Sequence, residues 1–124
     1  MSQLIESKLI VDKYIDQIAI IADQRKYVSA LIVPDYRLLE EYARQHRIDF
    51  TDLRDLCSNE QIHEMLMERI DTLQQQLAQY EQVKRFTLLP HPFSLERGEL
   101  TNTLKIKRRV LNENYRKEID QMYE

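Results

Sequence analysis

The chain contains a single glycine, Gly98, among its 124 residues. Loops that cradle the phosphates of a nucleotide bring the backbone close to the ligand, and they need several glycines to do so. A glycine-rich phosphate-binding loop and a dinucleotide-binding fingerprint are therefore excluded for this chain. If the chain acts on a nucleotide, another domain must bind most of that nucleotide.

The overall composition is that of one ordinary globular domain. Hydrophobic residues make up 43% and charged residues 31%, and no apolar run reaches the roughly 18 residues that a membrane-spanning helix needs. The N-terminus lacks the basic start and apolar stretch of a secretory signal, which predicts a cytoplasmic protein. A net charge of −3 and a pI near 5.7 argue against a general nucleic-acid binder.

Cysteine and histidine do not form the patterns of a metal or catalytic site. Cys57 is the only cysteine, which excludes an internal disulfide and a zinc site built from cysteines. His46, His63 and His91 are too widely spaced to be ligands on one helix, so no metal site is predicted. Cys57 and His63 could be a nucleophile and its base, but a lone buried cysteine is more often a packing residue.

Two apolar runs rich in β-branched residues predict a pair of strands. Residues 18–22 and 27–33 are nearly all apolar, and the turn-like residues 23–26 between them predict a hairpin. Because the apolarity is continuous rather than alternating, helices should cover both faces of the sheet. A third strand is predicted at residues 84–89.

Helices are predicted before, between and after these strands. Asp35 and Asn59 have side chains that cap helix N-termini, and each precedes apolar residues spaced three or four apart. Gln74 lies in a run of glutamines that is predicted to be a polar helix face. The element order predicts a small α+β domain, with a three-stranded, mainly antiparallel sheet and helices packed on it. The predicted helices cover residues 4–11, 36–46, 49–57, 60–79 and a final segment from residue 107.

The segment before the final helix carries a concentration of positive charge. Residues 91–104 form a long loop without periodicity, and such loops in compact domains are usually functional or mobile. Positive charge is unfavourable at a helix N-terminus, so the cations there favour binding of a phosphate or carboxylate together with the helix amides. The alternative is a solvated basic patch, or cations paired with nearby acids. The cations are Lys105, Lys107, Arg108 and Arg109.

Several segments resemble the C-terminal domain of AMP-forming long-chain fatty-acid–CoA ligases, the acyl-CoA synthetases of the adenylate-forming superfamily. The run L-T-N-T-L-K-I-K-R at residues 100–108 is similar to the last motif of that family, approximately E-L-T-P-T-L-K-I-K-R, with Asn102 in place of the proline. Four further segments match patterns of the family in the correct order, at residues 5–9, 14–17, 30–34 and 93–100. The resemblance covers nearly the whole chain.

This resemblance implies that residues 1–124 are a single domain, the mobile lid of a larger ligase. Lys105 matches the lysine of the motif, which implies that it is catalytic in forming a fatty acyl-adenylate from ATP. The domain of the family then rotates, so that coenzyme A can form the thioester at the same site. The resemblance also implies support for this loop from a turn, two hydroxyls and two cations: Gly98, Thr101, Thr103, Lys107 and Arg108.

The same resemblance places the cofactors and the partner outside this chain. ATP, magnesium and coenzyme A would bind in the full-length enzyme with its N-terminal adenylation domain, and this domain alone would bind no cofactor and be inactive. The enzyme would be cytoplasmic, with peripheral contact to a membrane left open. The alternative function is a free-standing interaction module that binds an acidic partner or nucleic acid through the basic loop and final helix.

Overall fold

The computed structural model describes residues 2–124, which form six α-helices, three strands and a short 3-10 turn at Gln79–Glu81. No helix in this described part of the chain is long and apolar enough to cross a membrane. In chain order the elements are α1 (Ser2–Leu9), β1 (Ile15–Ile21), β2 (Val28–Pro34), α2 (Tyr36–Gln45), α3 (Leu53–Cys57), α4 (Glu60–Leu73), β3 (Val83–Leu88), α5 (Arg108–Asn114) and α6 (Arg116–Gln121).

The three strands form one sheet in the order β1-β2-β3, and the predicted α+β fold is confirmed. β1 and β2 form the predicted antiparallel hairpin, with Ile20 opposite Ala30. β3 joins the other edge of β2 in parallel, with Phe86 opposite Ala30. The sheet is therefore mixed, and its antiparallel part is the hairpin, because α2, α3 and α4 carry the chain back to the start of the sheet before β3 begins.

Both faces of the sheet are covered, as the continuous apolarity of the strands predicts. All seven residues of β2 are buried. Ala30 and Ile32 belong to a first core formed with α1, α2 and α4. Leu31 and Val33 belong to a second core formed with α5, α6 and the loop after β3. The second core supports the segment that carries the candidate site.

The predicted helix starts at Asp35 and Asn59 are confirmed by capping hydrogen bonds. The Asp35 side chain accepts from the backbone N–H of Leu38 at 3.1 Å, and the Asn59 side chain accepts from that of Ile62 at 3.1 Å. Each cap satisfies an amide group that the first turn of a helix leaves free. Local chemistry therefore determines where α2 and α4 begin.

α4 ends at Leu73, earlier than the predicted residue 79. Gln74, predicted to lie on a polar helix face, is instead buried. Its side-chain amide accepts from Val83 N at 2.8 Å and donates to the Val83 carbonyl oxygen at 3.0 Å. A buried amide needs such partners, and this pair ends the helix and begins β3. Tyr80, which lies beyond the end of α4, is 74% exposed.

The final helix is divided in two. The sequence predicts one helix from residue 107, whereas the structure has α5 and α6, separated at Tyr115. Tyr115 has φ −114° and ψ 27°, outside the helical region, and its ring is buried in the second core. The bend lets Leu111 of α5 and Ile119 of α6 pack in the same core.

Candidate functional site: the lysine loop

A short closed loop carries Lys105. Residues 100–106, here called the lysine loop, are closed by a single β-bridge between their first and last residues. Thr101 N donates to the Lys105 carbonyl oxygen, and Leu104 N donates to the Thr101 carbonyl oxygen, both at 2.8 Å. The backbone of the lysine loop is therefore held by its own hydrogen bonds.

Both predicted threonines take part in this bonding. The Thr101 hydroxyl accepts a hydrogen bond from Lys105 N at 3.0 Å, and it lies 3.1 Å from the Thr103 hydroxyl. The Thr101 side chain therefore fixes the backbone of the residue that carries the charge. Asn102, at the position of the proline in the family motif, is exposed at the turn.

Lys105 itself is exposed, and its ammonium group belongs to none of the ion pairs within residues 2–124. The side chain lines an open groove of about 510 Å³, bordered by α1, β1 and the lysine loop. Polar side chains of Gln3, Ser7 and Gln17 contribute to the same groove. A lysine with a fixed backbone and a free side chain can meet an anion that is brought to it from outside.

Lys105 follows a residue in a strained conformation. Leu104 has φ 65°, in the left-handed region, and its side chain is 65% exposed. Left-handed backbone in a non-glycine residue costs about 1–2 kcal/mol. Such strain persists only where the surroundings over-determine the conformation. The hydrogen bonds of the lysine loop supply that constraint, so the backbone at Lys105 has one defined direction.

Gly98 lies in the turn that leads into the lysine loop. Its φ is 74°, in the region that favours glycine, and its N–H donates to the Leu95 carbonyl oxygen at 2.9 Å. A Cβ at this position would meet only the Val110 side chain, at 3.9 Å. The requirement for glycine therefore comes from backbone conformation and not from crowding.

Glu99, which is not among the predicted site residues, is the buried anchor of the lysine loop. Its carbonyl oxygen accepts from Lys107 N at 2.8 Å, which joins the two ends of the loop. Its side chain is 0% exposed, and a buried carboxylate needs hydrogen-bond donors. Three groups donate hydrogen bonds to it: Ser94 N at 3.0 Å, the Arg97 guanidinium at 3.1 and 3.3 Å, and the Asn114 amide at 3.0 Å.

Burial and hydrogen bonding act in opposite directions on the Glu99 carboxylate. Burial disfavours the charged form and by itself raises the pKa of Glu99, but the hydrogen bonds from Arg97, Asn114 and Ser94 outweigh it, and the pKa is lowered. Glu99 is therefore ionised at neutral pH. The sequence signal for this anchor is an acid placed between a glycine turn and the apolar Leu100, where a charge needs partners.

Arg108 holds the other end of the lysine loop through an ion pair with Glu6 of α1. Two guanidinium nitrogens donate to the two carboxylate oxygens, each at 2.7 Å. Arg109 pairs with Glu113 at 3.4 Å, whereas Lys107 is exposed. Pairing with nearby acids thus accounts for both arginines of the basic segment, and it leaves its two lysines without an acid partner in the described part of the chain.

Cys57 and His63 are packed together and do not form a nucleophile with its base. Burial raises the pKa of the Cys57 thiol to about 11, so the reactive thiolate is scarce at neutral pH. A ring nitrogen of His63 lies 2.7 Å from the Cys57 carbonyl oxygen, and the ring stacks on Phe86 with centroids 4.7 Å apart. Between residues 2 and 124, no group of three His, Cys, Asp or Glu side chains could hold a metal ion.

Comparison with known proteins identifies the family of the whole segment. The family model described as the AMP-binding enzyme C-terminal domain matches residues 2–124. The human protein named long-chain-fatty-acid–CoA ligase 6 is 32% identical over 96% of this chain and 17% of its own length. The Arabidopsis thaliana protein named long chain acyl-CoA synthetase 6, peroxisomal, is 34% identical over 90% of this chain and 16% of its own. The chain thus spans about a sixth of the length of these relatives.

Solved structures share the fold. The A-PCP didomain of carboxylic acid reductase from Segniliparus rugosus, in complex with AMP, matches with a TM-score of 0.78 over 99% of this chain and 16% of that chain, at 21% identity. The adenylation domain of the carboxylate reductase from Mycobacterium chelonae matches with a TM-score of 0.77 over 98% of this chain and 17% of that chain, at 22% identity. These likenesses show the fold alone. Because the family model covers every described residue, the chain belongs to the AMP-binding enzyme C-terminal domain family, and it is related over most of its length to long-chain acyl-CoA synthetases.

Proposed function

We propose that the chain is the mobile C-terminal domain of an AMP-forming long-chain fatty-acid–CoA ligase, with Lys105 as its catalytic residue. The observation that carries the proposal is the free ammonium group of Lys105 on a loop whose backbone is held from both ends. The relatives at 32% and 34% identity are named as long-chain enzymes of this kind, which supports the substrate class.

The first proposed step forms a fatty acyl-adenylate. An oxygen of the fatty carboxylate attacks the α-phosphorus of ATP, the bond from that phosphorus to the bridging oxygen breaks, and pyrophosphate leaves. Charge develops on the phosphoryl oxygens in the transition state, where a positioned ammonium group stabilises it. Because the backbone at Lys105 is already ordered, the loop does not have to be ordered during the reaction.

The second proposed step uses the same site without Lys105. Rotation of this domain about a hinge withdraws the lysine, and the thiol of coenzyme A then attacks the acyl carbonyl carbon and releases AMP. ATP, magnesium and coenzyme A are proposed to bind mainly in an N-terminal adenylation domain, which is the proposed partner. Residues 1–124 would then be a single lid domain, inactive when separated from that partner.

The test is the replacement Lys105→Ala in the enzyme that joins this domain to its adenylation domain. Acyl-adenylate formation, measured as pyrophosphate release, should fall by about 100- to 1,000-fold, the loss typical of removing one preorganised donor. Thioester formation from preformed acyl-adenylate should keep its rate, because that step does not use Lys105. Lys117→Ala removes an exposed lysine of α6, away from the lysine loop in the chain, and should change neither rate.

Two results would contradict the role of Lys105. One is an equal loss in both half-reactions, which would indicate general damage to the domain. The other is an unchanged rate of adenylate formation. The substrate class is tested separately, by comparing the rate of adenylate formation from long-chain fatty acids with the rate from short and aromatic carboxylates.

A module that binds nucleic acid or an acidic partner is the competing interpretation of the basic segment. Binding through phosphates needs several free cations and falls steeply with salt. Arg108 and Arg109 are already paired with acids of this chain, which reduces the free positive charge of the segment. A stoichiometric, salt-sensitive complex with RNA or DNA would favour the competing function.

The proposed compartment of the full-length enzyme is the cytoplasm. A cytoplasmic enzyme with peripheral membrane contact suits long-chain fatty acids, which partition into membranes. One relative has the word peroxisomal in its name, so fractionation should separate cytosol, membranes and peroxisomes. Recovery of the enzyme with peroxisomes would replace the cytoplasmic proposal.

A further inference from the structure

We propose that Glu6 and Arg108 form a brace that positions Lys105 and keeps its ammonium group free. The proposal rests on the catalytic role proposed for Lys105. Glu6 and Arg108 are positioning residues, because neither is proposed to touch the reacting atoms. Glu6 lies in α1 and Arg108 is the first residue of α5, 102 positions further along the chain.

The brace closes the free edge of β1 at Ile20. The N–H of Ile20 donates to a Glu6 carboxylate oxygen at 2.8 Å, and the carbonyl oxygen of Ile20 accepts from an Arg108 guanidinium nitrogen at 3.3 Å. With the two bonds between Arg108 and Glu6, one ion pair joins α1, β1 and α5. Hydrogen bonds assisted by charge are shorter and stronger than neutral ones, so this junction is well defined.

The brace differs from the other ion pair of α5. The side chains of Glu6 and Arg108 are 14% and 36% exposed, whereas those of Glu113 and Arg109 are 56% and 83% exposed. Exposed pairs four residues apart on a helix contribute little, because water and salt screen them. The brace is also bidentate and satisfies the backbone of an edge strand, which gives it a structural role that the exposed pair lacks.

The brace is close to Lys105 along the chain. Two residues separate Lys105 from Arg108. Buried Glu99 anchors one end of the lysine loop, and Arg108 provides the second fixed point for the left-handed backbone at Leu104. Without the brace, the lysine loop loses this second fixed point, and its internal hydrogen bonds open more often.

The brace also controls the charge of the groove beside Lys105. Glu6, Lys105 and Arg108 all line this groove. While Arg108 neutralises Glu6, the carboxylate does not compete for the ammonium group. Removal of Arg108 would leave a mostly buried carboxylate without its cation, which is costly, and Lys105 is the lysine in a position to replace that cation.

The first test uses the 124-residue chain and measures amide hydrogen exchange by NMR. Arg108→Ala should raise the exchange rate of the Lys105 amide by about tenfold or more, because the loop opens more often. Glu113→Ala breaks the exposed pair and should leave that rate unchanged. Arg108→Lys keeps the charge without the bidentate geometry, should give an intermediate rate, and serves where the alanine variant does not fold. Unchanged protection of Lys105 in a folded Arg108 variant would overturn the brace.

The second test measures the two half-reactions in the enzyme that joins this domain to its adenylation domain. Arg108→Ala should lower kcat for adenylate formation by about tenfold or more, as expected for a misplaced catalytic group. Thioester formation from preformed acyl-adenylate should be unchanged. Adding Glu6→Gln to Arg108→Ala should restore part of the lost rate, because the competing carboxylate is gone. Equal loss in both half-reactions, or no recovery in the double variant, would overturn the proposal.

Lys105→Ala, measured in parallel, separates this proposal from the proposed function. If Lys105→Ala abolishes adenylate formation and Arg108→Ala does not reduce it, the brace is refuted and the role of Lys105 stands. If Lys105→Ala leaves adenylate formation intact, the proposed function is refuted, and the brace has no lysine to position.

Discussion

Glu99 and Lys105 belong to the same short stretch of chain and lie in opposite environments. The Glu99 side chain is 0% exposed, and three kinds of donor hold its carboxylate. Lys105 is exposed and has no acid partner within residues 2–124. The difference shows that the lysine loop has its fixed contacts at its base and an unneutralised charge beyond them. Preorganised electrostatic catalysis needs this combination, because the backbone is ordered while the charge remains free for the substrate.

The largest effect on stability is expected at the base of the lysine loop. Glu99→Ala should lower the free energy of unfolding by about 3 kcal/mol, at the low end of the range for breaking a buried ion pair. The low end applies because Arg97 is 45% exposed and water can solvate it. Urea unfolding of the chain measures the change. Glu96→Ala removes an exposed acid of the same segment and should alter the free energy by no more than about 0.5 kcal/mol.

The stability that is lost in Glu99→Ala should depend on pH. Because the pKa of Glu99 is lowered from its ordinary 4.5, folding favours the carboxylate. Its stabilisation is complete above the pKa of the unfolded chain and is lost as the pH falls through the pKa of the folded chain. The difference in the free energy of unfolding between the native chain and Glu99→Ala should be constant from about pH 7 to about pH 5.5. It should become smaller below about pH 4. A difference that is independent of pH would mean that the charge of Glu99 contributes nothing.

A smaller effect is expected at the two left-handed residues of the segment 98–106, Gly98 with φ 74° and Leu104 with φ 65°. Gly98→Ala should lower the free energy of unfolding by about 1–2 kcal/mol, because alanine is strained in that conformation. Leu104→Gly should change the free energy of unfolding by no more than about 0.5 kcal/mol, because the relief of backbone strain offsets the greater flexibility of glycine in the unfolded chain. Urea unfolding compares the two variants. A large loss in Leu104→Gly would mean that the exposed leucine side chain itself holds the loop.

The parts of the molecule that could be predicted from sequence are those set by local chemistry. Asp35 and Asn59 cap the helices that follow them, and each needs only a partner three residues away. The unbroken apolarity of β2 indicates that both faces of the sheet are covered. Lys105 could be named as a candidate because the motif around it is contiguous, and its catalytic role stays a prediction.

The parts that could not be predicted depend on partners that are distant or unexpected in the chain. Gln74 ends α4 because its amide pairs with Val83, which helical periodicity does not reveal. Glu6 and Arg108 are 102 residues apart. Charged residues such as Glu99 are expected at the surface unless their partners are known. The partners that hold the base of the lysine loop, and the two residues of the brace, are therefore identified only in three dimensions.

The proposed catalytic role requires that Lys105 leaves solvent and enters an active site when the acyl-adenylate forms. Acetylation of lysine side chains, quantified residue by residue with mass spectrometry, tests it directly. In the 124-residue chain, Lys105 and Lys107 should both be modified, since both are exposed. In the joined enzyme with ATP and a fatty acid bound, Lys105 should be protected while Lys107 remains reactive. Equal acetylation of Lys105 with and without these substrates would contradict the claim.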